Sequence, residues 1–129
     1  MVTTRLTDRL IDDGESLVLA LDAAGVKPTA AFWFYFSDIA SWKLLIADPT
    51  LGPNGPRGAY KQIQKALNKM EKQANGLALE DVALAKPDAP MVEVMRSALR
   101  TGPGVSRIRF TGNVINGVLI DDTLIYRLI

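Results

Sequence analysis

Six residues near the C-terminus have the side chains and spacing for recognition chemistry: Arg107, Arg109, Asn113, Asp121, Asp122 and Arg127. An arginine presents a planar fork of N–H donors that matches a carboxylate or a phosphate two bonds at a time. The cluster therefore supports two readings. The arginines can pair with the aspartates across strands and hold a register, or they can form a surface for an anion, a peptide or another subunit. A second group lies at the end of the loop DPTLGPNGPRG, where Arg57 and Tyr60 enter a helix. A glycine-rich loop ahead of a helix can hold a phosphate on backbone amides, and Arg57 is placed to grip an anion. The loop lacks both the GxxxxGK[ST] and the GxGxxG spacing. A third group, Lys61, Lys65, Lys69 and Lys72, recurs at helical spacing and forms a basic ridge that suits nucleic-acid phosphates or an acidic partner. No aromatic residue is interleaved with these lysines, so base stacking has no support.

Composition removes other chemistries. The chain has 129 residues, no cysteine and no histidine. A serine-histidine triad, a cysteine-histidine dyad, a thiolate zinc site and a disulfide are all impossible within it. Any catalysis would rest on carboxylates, Lys, Tyr, Ser or Thr, with a hard metal such as magnesium. A nuclease-like site of that kind needs an acid and an acid-x-Lys on adjacent strands. Asp48 follows the second predicted strand, but Ser41, not an acid, stands two positions before Lys43. No cofactor is expected. A formal net charge of +1 argues against nucleic-acid binding by the whole surface, though not by a local patch. The N-terminal MVTTRLTDRLIDDGES has no apolar run before its first acids, and no stretch reaches the length of a membrane span. A cytosolic location is the expectation.

The elements that must position these residues are legible from periodicity. From Thr4 to Ala24, Leu6, Leu10, Leu17 and Leu21 share one helical stripe, with Ile11 and Val18 beside it. Gly14 interrupts this helix at a cost of about 1 kcal/mol relative to Ala, which marks a bend or a close contact. Gly25 and Pro28 end it. Ala30 to Ala47 reads AAFWFYFSDIASWKLLIA, two apolar runs with a polar joint. The uncharged, non-alternating first run predicts a strand covered on both faces. The second run, Trp42 to Ala47, predicts its hairpin partner; Trp42 is expected to pack under the first helix, the alternative being an exposed contact at the strand's start.

Tyr60, Ile63, Leu67, Met70 and Ala74 predict a helix from Arg57 to Asn75. Leu77 to Ala85 has strand character with Val82 and Leu84 on one face. A third helix follows over Ala89 to Arg100, with Met91 or Val92, Met95 and Leu99 inward. Val105 to Ile115 and Val118 to Leu128 predict a hairpin around Asn116-Gly117, both of which tolerate positive φ.

That hairpin poses a register question. A two-residue turn opposes Phe110 to Thr123 and puts Leu124, Tyr126 and Leu128 on the face of the arginines. One extra residue at Asp121-Asp122 would carry them to the face of Ile108 and Phe110. A bulge there is the expectation; a sheet covered on both faces is the alternative.

The tail RIRFTGNVINGVLIDDTLIYRL resembles a family of small uncharacterised bacterial proteins through its R-x-x-F segment, I-N-G, acid pair and I-Y-R. Trp42 to Ile46, the Gly55-Pro-Arg57 segment and Tyr60 are similar to that family too. The resemblance implies that these positions form one unit, and it implies no activity and no catalytic residue.

Together these readings predict a single α+β domain over residues 1–129. Its sheet is mixed or antiparallel, of about five strands, with three helices in the order αββαβαββ. The expected function is a small binding or interaction module whose partner is another protein or a second copy, self-associating through the C-terminal hairpin. The alternatives are a nucleic-acid-associated protein using the lysine ridge and a metal-dependent carboxylate and lysine enzyme. No membrane partner is expected.

Overall fold

The computed structural model describes residues 5–48, 55–70 and 76–129. Its elements are α1 (Asp8–Ala23), β1 (Ala30–Phe36), β2 (Ser41–Ala47), α2 (Gly55–Lys69), a 3₁₀ turn (Leu79–Asp81), β3 (Val82–Ala85), α3 (Pro90–Ala98), β4 (Ile108–Ile115) and β5 (Val118–Leu128). This is the α+β order expected. One sheet runs β3-β2-β1-β5-β4. Among the described strands only β2 and β3 are parallel, joined by the α2 crossover, and the other neighbours are antiparallel. No helix among the described residues is long and apolar enough to cross a membrane.

β1 is the central strand because it has no polar face to show to water. Ala31 and Trp33 pack with Leu10, Leu17, Val18 and Leu21 of α1 and Ile63, Ala66 and Leu67 of α2. Ala30, Phe32 and Phe34 pack on the other side with Val92 and Met95 of α3. Trp42 is buried in the α1/α2 layer. Each of the larger aliphatic and phenylalanine side chains among these contributes roughly 1.5–3 kcal/mol by leaving water.

Local chemistry trims the predicted elements. Thr7 is the N-cap of α1, its hydroxyl accepting from the Leu10 N–H at 3.2 Å, so the helix starts later than Thr4. The strand expected from Leu77 is delayed until Val82. The Asp81 carboxylate accepts from the Ala78 N–H at 2.9 Å, which favours a tight turn over an extended backbone. Val82 and Leu84 do share the α1/α2 face. α2 is described to Met70, and the expected continuation to Asn75 lies outside the described residues. The hairpin turn has Asn116 at φ 50° and Gly117 at φ 79°, the geometry that Asn-Gly permits.

The register expectation is corrected. Phe110 opposes Thr123, Arg109 opposes Leu124 and Ile115 opposes Val118, all in one unbroken offset. No register-shifting bulge sits at Asp121-Asp122. Leu124 and Tyr126 stay on the arginine face and are buried there under α1 and α2. With helices on both faces, apolar side chains are covered either way, and a shift gains nothing.

The hairpin nevertheless turns over once. Phe110 and Ile115 are five apart and pack in the α3 layer together, as do Ile120 and Ile125. Regular alternation would set residues five apart on opposite faces. Both strands therefore flip at the unpaired Gly112–Asp121 position, where Gly112 has φ +63°. Because both flip together, the pairing offset survives.

A true bulge lies between β5 and β1. Ala31 pairs with Arg127 and Phe32 with Ile125, leaving Tyr126 as the extra residue. Tyr126 and Arg127 thus both reach α1, and Leu128 crosses to the α3 layer. The buried Tyr126 hydroxyl donates to the Ile11 carbonyl at 2.5 Å and accepts from Trp33 Nε1 at 3.0 Å.

Burial holds the Tyr126 hydroxyl well above its ordinary value. The neutral phenol is the form the fold prefers. Its stabilisation is complete below the unfolded value of about 10 and is lost as pH rises through the folded value. Tyr126→Phe is expected to cost about 2 kcal/mol at neutral pH, since it strands the Trp33 donor. It should also flatten the fall in stability above about pH 10. Urea midpoints at neutral and alkaline pH measure both effects; an unchanged alkaline slope would assign it to other groups.

Candidate functional site

The hairpin of β4 and β5 positions the polar cluster, but its members go to different places. Arg107, just before β4, reaches α1. Its Nε donates to Glu15 Oε1 at 3.1 Å and its Nη2 to Asp12 Oδ1 at 2.8 Å. Hydrogen bonds to Glu15 and then Asp12 hold the guanidinium above its ordinary value. Arg109 is bidentate to Asp122, at 2.7 and 2.6 Å, diagonally across the two strands, and its charge is stabilised in the same way. Its guanidinium carbon also lies 5.6 Å from the Trp42 ring centre, within cation–π range.

Arg127 is buried at 4% exposure. Its Nη1 and Nη2 donate to Asp22 at 2.9 and 2.7 Å, and Nη1 also donates to the Pro28 carbonyl at 3.0 Å. Asn113 is exposed and donates to the Thr111 carbonyl at 2.7 Å, and Asp121 is exposed.

The three arginines therefore spend their forks on carboxylates of this chain and do not converge on one anion site. Two of them reach α1 rather than the hairpin acids. A cavity of about 290 Å³ is lined by Asp22, Lys27, Pro28, Pro103, Arg127 and Ile129. Arg127 adds little to it as a ligand, because four of its five N–H donors are already engaged within the chain. Tyr60 is half-buried on α2. Arg57 lies in the first turn of α2; its side chain, like Lys72, falls outside the described residues. Among those residues, no group of three or more Asp, Glu, His or Cys could hold a metal ion.

The sequence reading missed an apolar pair. Val114 and Leu119 oppose each other directly across the hairpin and are 67% and 58% exposed. They lie on the face opposite Ile115, Val118 and Ile120, which pack toward α3. The signal was in the five-residue spacing of Phe110 and Ile115. If both are buried, the strand turns over and Val114 faces out.

β4 is also the edge of the sheet, so among the described residues its outer row of backbone groups has no strand beside it. Arg109 at this edge and the kink at Gly112 are the devices that blunt such edges against indiscriminate pairing.

Comparison with known proteins adds no relative: no protein-family profile, no curated protein and no solved structure matches the chain.

Proposed function

We propose that the protein is a small binding module that associates with a second copy of itself through the C-terminal hairpin. The observation that carries this reading is the exposed Val114–Leu119 pair beside the open edge of β4. Two apolar side chains cover far less than the roughly 800 Å² per partner of a stable interface. The edge strand supplies further contact, because an isologous pairing of β4 with β4 satisfies backbone groups on both copies. The arginines play a structural part in this reading: Arg109, braced by Asp122 and Trp42, fixes the face that the second copy meets.

Light scattering over a dilution series tests it. The expected result is a mass that falls from dimer to monomer on dilution. Leu119→Lys and Val114→Lys are expected to give monomers with an unchanged melting temperature, since neither side chain is buried. A wild-type chain that stays monomeric at its highest soluble concentration would sink the reading. So would a dimer that both lysine variants leave intact.

A further inference from the structure

The lysine ridge is not used by the hairpin reading, and the fold turns it into a surface. α2 buries Ile63, Ala66 and Leu67 against the sheet. Its exposed positions among the described side chains are then Lys61, Gln62, Gln64, Lys65, Asn68 and Lys69. Every one is a cation or an amide, with no acid and no apolar residue among them. Lys61, Lys65 and Lys69 follow one another at intervals of four, so the row extends about 12 Å along the helix.

The remaining charge distribution sharpens the contrast. Arg9, Arg96, Arg107, Arg109 and Arg127 each have a carboxylate of this chain within ion-pair distance. Among the described residues no carboxylate pairs with Lys61, Lys65 or Lys69. Among the described residues, five arginines are thus neutralised by carboxylates of this chain, while the row of lysines has no such partner.

We propose that this face of α2 docks on the phosphate backbone of a nucleic-acid duplex. Two features choose that occupant over an acidic protein. Protein interfaces are built around an apolar or aromatic centre and are depleted in lysine, and this face has no such centre. Phosphate recognition needs cations and hydrogen-bond donors, which lysine and the amides of Gln62, Gln64 and Asn68 supply. The absence of any exposed aromatic on the face favours a duplex over a single strand, whose bases would need stacking platforms. Contact of this kind positions without reading sequence.

Fluorescence anisotropy with a labelled 20-base-pair DNA duplex, titrated across a salt series, tests the proposal. Three lysine–phosphate contacts give a slope of log Kobs against log salt near −2.7, or about a 40-fold loss of affinity between 50 and 200 mM salt. The Lys61→Glu, Lys65→Glu, Lys69→Glu triple variant should lose binding while keeping its melting temperature. Leu119→Lys should bind the duplex no more weakly than wild type. That outcome separates this surface from the hairpin. Absence of binding at low salt would overturn the proposal, as would binding that the triple variant retains. Displacement of the duplex by poly-glutamate at equal charge concentration would also overturn it, in favour of an acidic protein partner.

Discussion

Gly14→Ala is expected to destabilise the protein by about 3 kcal/mol, although alanine is the better helix former by about 1 kcal/mol. A Cβ at position 14 would clash with the Tyr126 hydroxyl and lie 2.8 Å from Trp33 Nε1. Neither neighbour is a loose side chain. Both rings are fully buried, and their polar atoms are bonded to each other and to the Ile11 carbonyl. The methyl group would have to push α1 away from β1 and β5 or break the tyrosine–tryptophan bond. Overpacking of this kind costs about 1–3 kcal/mol, and a stranded buried donor adds about 1–3 kcal/mol more. Urea denaturation followed by tryptophan fluorescence measures it. A variant as stable as wild type would mean that α1 does not sit this close to the sheet. Combining Gly14→Ala with Tyr126→Phe should cost less than the sum of the two single changes, because the oxygen nearest the new methyl is gone.

Arg127→Leu is the second large effect, at about 3 kcal/mol. The guanidinium is 5% exposed and the Asp22 side chain 25%, and removing one member of a buried pair leaves the other charge uncompensated. The Pro28 carbonyl loses its donor as well. Pairing Arg127→Leu with Asp22→Asn should recover part of the loss, which a double-mutant cycle reads as a coupling energy of roughly 1 kcal/mol or more. A single variant within about 0.5 kcal/mol of wild type would place the pair with ordinary surface substitutions. Arg107 provides the contrast. It makes more bonds to carboxylates, but its side chain is 42% exposed and that of Asp12 is 66% exposed. Arg107→Leu should therefore cost less than about 1 kcal/mol.

These two positions also show where sequence reasoning stops. Gly14 stood out as a costly glycine inside a helical pattern, which signals a close approach without saying to what. The partners, Trp33 and Tyr126, are 93 residues apart and meet only once α1 lies across the sheet. Arg127 was visible as one of three arginines near two aspartates. Cross-strand pairing with those aspartates holds for Arg109 alone. The bulge at Tyr126 is what turns Arg127 toward α1, and no local pattern announces a bulge between strands as distant in sequence as β1 and β5.

Local physics was enough for the elements and their order. An uncharged run without alternation favours a central strand, Asn-Gly favours a tight hairpin turn, and leucines three and four apart favour a helix with a buried stripe. The same holds for the lysine row of α2, whose outward position follows from the inward position of Ile63 and Leu67. The tertiary structure decided what depends on contacts between distant segments. Helices cover both faces of the sheet, so the register needed no shift. Both hairpin strands turn over together at Gly112, so Val114 and Leu119 face solvent. The arginines find their carboxylates mainly on α1, because side-chain charges pair with whatever the fold brings within about 4 Å, not with their neighbours in the chain.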